Sequence, residues 1–190
     1  HHINGCFSEY VSDIDLMLPS GSIVNLVKDD ELFKATCGGM GLTGVIVSAT
    51  IRLVKIASTN INQVTIKTAN LSETFKIFEE YADETYSVAW FDGFSSGNTF
   101  GRSIVQIGDF STDGNLEFQD QSIKFIPFKF LSFILNKHLI RIFNFLYYTL
   151  TSAKKVRSKV HFTKFFYPLD KFSNWNKIYG KRGLIQYQFI

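Results

Sequence analysis

The stretch Glu-Leu-Phe-Lys-Ala-Thr-Cys-Gly-Gly-Met-Gly-Leu-Thr-Gly-Val-Ile, residues 31–46, joins three local patterns. Asp29 or Asp30 can cap a short helix beginning at Glu31, because a carboxylate accepts hydrogen bonds from the free N–H groups of a first turn. A tight turn is then predicted by four glycines: Gly38, Gly39, Gly41 and Gly44. The β-branched run that follows to residue 54 predicts a strand, with one face made of Val45, Val47, Ala49, Ile51 and Leu53.

The glycine turn has two interpretations. Backbone without side chains can lie against a flat ligand, or it can simply let the helix and the strand pack closely. Since glycine clusters are weak motifs, spacing alone favours the packing interpretation. The order of the elements also excludes a dinucleotide-binding fingerprint, in which the strand precedes the glycines.

Alternating apolar residues on both sides of this stretch predict an α+β protein of two domains. A hairpin is predicted from residues 11–18 and 23–27, turning at Pro19–Ser22. The polar residues 57–62 mark a boundary, which we place between residues 58 and 59. Domain 59–190 is predicted to be an antiparallel sheet with helices on one face. Its elements are a strand over 64–68, a helix after Ser72 to about residue 82, a buried strand over 86–91, a loop over 95–98, a strand over 102–107 and a polar surface segment over 109–121.

The segment from about residue 121 to 164 is an aromatic and basic insertion. No Asp or Glu occurs from Gln121 to Leu169, although nine of the twenty basic residues lie there. Charged residues interrupt the apolar run before it reaches the roughly 18–20 residues that span a membrane. The pattern favours an amphipathic segment on an anionic membrane surface, with the basic residues 154–159 beside it; a core helix pair with a solvated basic loop is equally compatible. No single-strand-binding motif is present, and we expect no nucleic-acid partner.

The C-terminal residues combine a predicted helix over 170–179, anchored by Trp175, with an alternating strand. Gln186 and Gln188 point to the same side of that strand. They line a polar pocket or form the solvated face of an antiparallel strand, and the pattern alone favours the second. Because the chain starts without Met and ends within a strand pattern, we expect an internal fragment.

Cysteine and histidine usage predicts neither a disulfide framework nor a metal site. Cys6 and Cys37 are too few for a framework and suit a reducing compartment. The four histidines lack the spacing of metal ligands. We therefore predict a cytoplasmic protein without a metal ion. If residues 121–164 bind a membrane, the protein is peripheral at its inner face.

Four blocks of the chain, in order, resemble the FAD-linked oxidases of the vanillyl-alcohol-oxidase superfamily, which have a PCMH-type FAD-binding domain. Within it the chain is most similar to the decaprenylphosphoryl-ribose oxidase group. The blocks are His1-His2-x-x-Gly5-x-Phe7, the stretch 31–46, Ser87-Val88-Ala89-Trp90-Phe91-Asp92, and Tyr167-Pro168-Leu169-Asp170 through Trp175-Asn176 to Gln186-Tyr187-Gln188-Phe189. The resemblance is weakest from about residue 94 to 160.

The resemblance implies that residues 1–58 are the C-terminal portion of an FAD-binding domain and that 59–190 are an incomplete substrate-binding domain. FAD would contact Gly38, Gly39, Gly41, Thr43, Gly44 and Ile46, largely through backbone. The substrate pocket would be lined by Trp90, Phe166, Phe172, Gln186 and Gln188. Phe166 stands where close members of the group carry a tyrosine, and Tyr167 where they carry a histidine, so the identity of the sugar is open.

The implied reaction is oxidation of a secondary alcohol of a sugar, such as a lipid-linked sugar, by hydride transfer to the flavin. The catalytic residues are unknown, because the group's phosphate-binding loop and catalytic lysines fall outside residues 1–190. Oxidation of a sugar lactone or hydroxy acid, or a non-catalytic membrane-associated module that keeps the fold, are the alternatives. A partner reductase is a further expectation.

Overall fold

The computed structural model describes residues 1–118, 124–125, 136–151 and 154–173. It divides into two units, His1–Lys55 and Ile56–Ile190. The predicted boundary between residues 58 and 59 lies shortly after this division. Within the described residues the fold is mixed α and β with two antiparallel sheets, as the α+β prediction requires.

The first unit is a three-stranded antiparallel sheet with one short helix. A 3-10 turn over Phe7–Tyr10 leads into β1 (Val11–Met17), β2 (Ile23–Val27), α1 (Glu31–Thr36) and β3 (Val45–Ile51). The strand order is β2-β1-β3. The hairpin prediction is confirmed, because β1 and β2 pair directly, with Ile14 opposite Leu26.

A small apolar core holds this unit together beneath α1. Its buried members are Val11, Ile14, Leu16, Leu26 and Phe33. The predicted carboxylate cap of α1 is wrong: the Asp30 side chain makes no capping bond and instead accepts a hydrogen bond from the Val27 N–H at 2.8 Å. The carboxylate therefore closes the turn between β2 and α1.

Strand β3 is shorter than predicted, and its residues are exposed. It ends at Ile51 and does not continue to Val54. Every residue of β3 is exposed, including Val45, Ile46 and Val47. An apolar strand exposed on both faces at the edge of a sheet is unusual in a complete domain, because water is kept from such residues by neighbouring elements.

The second unit is built on a four-stranded antiparallel sheet of order β5-β6-β4-β8. Its elements in chain order are β4 (Asn60–Thr68), α2 (Leu71–Glu80), β5 (Tyr86–Phe91), a 3-10 turn (Gly97–Thr99), β6 (Ser103–Phe110), β7 (Lys124–Phe125), α3 (Lys137–Leu150), β8 (Lys155–His161), α4 (Phe162–Phe166) and β9 (Phe172–Ser173). β7 and β9 form a separate parallel pair.

Helices lie on both faces of this sheet, so the prediction of helices on one face is wrong. α2 covers the face that carries Ile66, Val105 and Ile107, against which Ile77 and Phe78 pack. Asn70 caps α2 by accepting a hydrogen bond from the Glu73 N–H at 3.0 Å. The strands also bury Ile61 and Ile104 on the opposite face, and α3 and α4 pack there. Because both faces carry apolar residues, both require cover.

Three further predictions for this unit require correction. β5 is half-buried rather than buried, because it is an edge strand. The solvated basic loop of the alternative interpretation is wrong for residues 155–159, since Lys155–His161 form β8 and pair with β4. The predicted helix over 170–179 is wrong at its start, where Phe172–Ser173 are extended; its remainder, with Trp175, lies outside the described residues. No helix in the described part of the chain is long and apolar enough to span a membrane.

Candidate functional site

The glycine turn between α1 and β3 contains residues whose backbone has the left-handed conformation, and it lies on the surface of the first unit. Gly38 and Gly41 have φ angles of 79° and 76°, and Met40 between them has φ 52°. A side chain is strained at such angles, which explains the glycines. A Cβ atom on Gly38 or Gly41 would meet nothing within 4 Å, so the backbone at both positions faces open space.

Gly39 and Gly44 are glycine for a different reason. A Cβ atom on Gly39 would lie 2.2 Å from the Ala35 carbonyl oxygen, and one on Gly44 would lie 2.4 Å from the Met17 carbonyl oxygen. Both glycines are therefore required by the chain's own packing. Of the two interpretations of the turn, close packing applies to Gly39 and Gly44, and an accessible backbone applies to Gly38 and Gly41.

The other two residues predicted to contact the cofactor differ in accessibility. The Thr43 hydroxyl shares a hydrogen bond of 2.9 Å with the Thr36 hydroxyl, which ties the turn to α1. Ile46 is exposed, as are Met40 and Leu42. An open backbone flanked by exposed apolar side chains fits a flat aromatic ring system, so these residues are compatible with part of an FAD site.

In the second unit, Trp90 and Phe166 lie over the same face of the sheet. Trp90 on β5 packs edge to face on Tyr147 of α3, with ring centroids 4.9 Å apart. Phe166 on α4 packs in the same manner on Tyr86, also at 4.9 Å. Tyr86 and Trp90 are four residues apart on one strand, hence about 13 Å apart on one face.

Between these two aromatic contacts the sheet presents Val88 together with polar side chains. Gln106 lies opposite Val88 on β5 and opposite Thr65 on β4, and Gln63 donates a hydrogen bond of 2.8 Å to the Thr65 hydroxyl. Apolar rings at both ends and amide and hydroxyl groups between them form a surface that suits a hydroxyl-rich ligand.

A buried carboxylate lies beside Trp90 and was not predicted as a functional residue. Asp92 is 1% exposed. Its Oδ1 accepts hydrogen bonds from Asn144 Nδ2 at 2.7 Å and from the Phe94 N–H at 3.1 Å. Its Oδ2 accepts from Arg102 Nε at 2.9 Å and pairs with a second Arg102 nitrogen at 2.8 Å. Burial raises the pKa of Asp92, but the bonds from Asn144 and Arg102 outweigh it and hold the pKa below its ordinary value.

The bond from Asn144 makes this network an anchor for α3. Tyr148, one turn further along, donates to the Thr68 carbonyl oxygen at 3.0 Å. Lys67 Nζ and the Arg102 guanidinium lie 4.4 and 4.7 Å from the centre of the Tyr148 ring. Burial raises the pKa of the Tyr148 hydroxyl. Asn144 and Tyr148 are four residues apart in the part of the helix richest in apolar residues, and that spacing was the signal available in the sequence.

Three further residues were predicted to line the substrate pocket, namely Phe172, Gln186 and Gln188. Phe172 lies on β9 and is partly exposed. Gln186 and Gln188 lie outside the described residues. In the described part of the chain, no group of three or more His, Cys, Asp or Glu side chains is placed to hold a metal ion.

Comparison with known proteins confirms the resemblance to the FAD-linked oxidases of the decaprenylphosphoryl-ribose oxidase group. The chain is 33% identical to decaprenylphosphoryl-beta-D-ribose oxidase of Mycolicibacterium smegmatis over 205 aligned positions, which take in 100% of this chain and 44% of that oxidase. An uncharacterized protein from the mprA 5′ region of Streptomyces coelicolor is 28% identical over 110 residues, which are 57% of this chain and 30% of that protein. No family model matches the chain. The chain thus spans less than half the length of the relatives it matches.

Proposed function

We propose that the intact protein containing this chain is an FAD-dependent oxidoreductase that oxidises a secondary alcohol of a sugar. The whole-chain similarity to an oxidase whose name specifies a polyprenyl-linked ribose supports the proposal. The observation that carries it is the shared face of Trp90 and Phe166, with Gln63, Thr65 and Gln106 between them. A polyprenyl-phosphate-linked sugar is the first substrate to test.

The two units have separate parts in this proposal. Residues 1–58 are the C-terminal portion of the FAD-binding domain, with Gly38 and Gly41 offering backbone to the cofactor. Residues 59–190 belong to the substrate-binding domain, in which Trp90 and Phe166 orient the sugar. FAD, when bound, supplies the hydride acceptor. We assign no catalytic base among the described residues, and a partner reductase that passes on the electrons is part of the proposal.

The cofactor assignment is tested with two glycines that share a conformation. Gly38 and Gly21 have φ angles of 79° and 83°, and a Cβ atom on either meets nothing within 4 Å. Gly38→Ala and Gly21→Ala therefore introduce similar backbone strain, but only the first adds a methyl group to the proposed FAD surface. We expect intact protein purified without added cofactor to show flavin absorption bands, and only Gly38→Ala to lose them.

The outcomes of that experiment separate the proposal from its rivals. Colourless wild-type protein that cannot be reconstituted with FAD would contradict the oxidase and favour a non-catalytic module. Equal flavin loss in both variants would remove the glycine turn from the cofactor site while leaving the oxidase proposal in place.

The substrate assignment is tested by anaerobic bleaching of the flavin. We expect sugar alcohols to bleach the bands, and Trp90→Ala to raise KM without changing the flavin content. Phe91→Ala is the control, because Phe91 is the next residue of β5 and faces the other side of the sheet. Bleaching by hydroxy acids or sugar lactones alone would replace the proposed substrate class with the alternative one.

A further inference from the structure

Helix α3 has the polarity of its two sides reversed relative to an ordinary surface helix. The side that meets the sheet carries Asn144 and Tyr148, bonded to Asp92 and to the Thr68 carbonyl oxygen. The outer side carries exposed apolar residues, which we call the outer face of α3: Leu139, Ile142, Phe143, Phe145, Leu146 and Leu150. An apolar stripe normally faces the core.

The net charge of α3 indicates which kind of partner its exposed apolar side would contact. In its fourteen residues Lys137 and Arg141 are basic and none is acidic, which gives +2. α2, on the opposite face of the sheet, has three acids and Lys76, which gives −2. α3 therefore carries positive charge without an acid in the same helix as its exposed apolar residues, and that combination matches an anionic lipid surface.

The basic residues of β8 do not belong to this surface. Lys155, Arg157 and Lys159 stand opposite Ile66, Val64 and Asn62 on β4, which places them on the α2 face. Lys159 pairs with Asp113, and Lys155 donates to the Tyr81 hydroxyl. Among the described residues, α3 is therefore the part of residues 121–164 that we expect to contact the membrane.

We propose that the outer face of α3 docks on an anionic lipid membrane. Fourteen residues extend about 21 Å, too short to span a bilayer but long enough to lie in the interfacial plane. The polar contacts of Asn144 and Tyr148 hold the helix on the protein while its apolar residues enter the lipid. This inference goes beyond the oxidase proposal, since lipid binding is measured without turnover.

The experiment is co-sedimentation of the intact protein with phosphatidylcholine vesicles, with and without phosphatidylglycerol. We expect binding that requires phosphatidylglycerol and weakens with salt. Ile142→Asp, on the outer face, is compared with Phe75→Asp on α2, because the two side chains are 55% and 58% exposed. Ile142→Asp is expected to weaken binding roughly tenfold or more, and Phe75→Asp to leave it unchanged.

A second pair of variants, each of which removes one positive charge, measures the electrostatic contribution to lipid binding. Arg141→Gln should weaken binding by about fivefold, whereas Lys76→Gln on α2 should not. Absence of wild-type binding, or equal loss in the members of either pair, overturns the proposal. So does a lipid-free change of oligomeric state in Ile142→Asp, because the outer face of α3 would then be an interface between copies of the chain.

Discussion

Helices α2 and α3 pack on opposite faces of one sheet with opposite polarity. α2 places Ile77 and Phe78 against Ile66, Val105 and Ile107 and leaves Glu79 and Glu80 exposed. α3 is joined to the sheet by the bonds of Asn144 and Tyr148 and leaves its apolar residues exposed. Burial of apolar area stabilises the first contact, and hydrogen bonds to buried polar groups stabilise the second.

The difference shows that helical periodicity identifies a helix without identifying its inner side. Both helices have apolar residues at helical spacing, and the usual expectation is correct for α2. For α3 the surface of the sheet determines which side of the helix faces inward. That surface presents Asp92 and a backbone carbonyl, whose hydrogen bonds would be missing beneath an apolar side chain. A buried carboxylate therefore selects the polar side of the helix that covers it.

Loss of Asp92 has the largest expected effect on this contrast. Asp92→Ala removes the acceptor of Asn144 and leaves the Arg102 guanidinium, which is 16% exposed, without its partner. We expect the free energy of unfolding to fall by about 3–5 kcal/mol in urea denaturation of the intact protein. Asp83→Ala, at an exposed position of the same unit, is the control and should change it by less than about 0.5 kcal/mol.

Asn144→Ala tests whether the polar bond holds α3. Loss of a hydrogen bond to a charged acceptor should lower the free energy of unfolding by about 1.5–3 kcal/mol. It should also raise the hydrogen-exchange rate of α3 amides while leaving those of α2 unchanged. Unchanged exchange in α3 would mean that apolar contacts such as Trp90–Tyr147 suffice to hold it, and the contrast between the helices would be lost.

Replacing one isoleucine by alanine in each helix compares how much their apolar sides contribute to the free energy of unfolding. Ile77→Ala removes a side chain packed on the core and should lower the free energy of unfolding by about 2 kcal/mol. Ile142→Ala removes one that is mostly exposed and should change it by less than about 0.5 kcal/mol. Equal losses would show that the outer face of α3 is covered in the intact protein.

The sequence predicted those parts of the fold that follow from local periodicity. The β1–β2 hairpin and the strand over 86–91 were found because alternation and turn residues are local signals. Burial does not follow from the same local signals: β3 is rich in Val and Ile, yet every one of its residues is exposed. The cover of a strand comes from other segments, which its own residues do not identify.

The residues of the candidate site came from two different sources. Trp90 and Phe166 were predicted through the resemblance and stay predictions as site residues; the described structure places both over one face of the sheet. Asp92 stood in the same block as Trp90, but its partners Arg102 and Asn144 are 10 and 52 residues away in sequence. No local pattern indicates such a pair, because it depends on how α3 crosses the sheet.

The pH dependence of stability gives the smallest and most specific test of the Asp92 anchor. Because the folded-state pKa of Asp92 lies below its ordinary value, its ionised form adds stability above the unfolded-state pKa of about 3.9. That stability is lost as the pH falls through the folded-state pKa. The advantage of wild type over Asp92→Asn in free energy of unfolding should therefore be constant from pH 7 to 5 and shrink below about pH 4. Subtracting the variant's curve removes the contribution of Asp113, whose pKa is also lowered, by the hydrogen bonds from Ser58 and Lys159. An advantage that does not shrink would mean that the carboxylate acts through its shape and neutral hydrogen bonds, and the charge of Arg102 would have no part in selecting the inner side of α3.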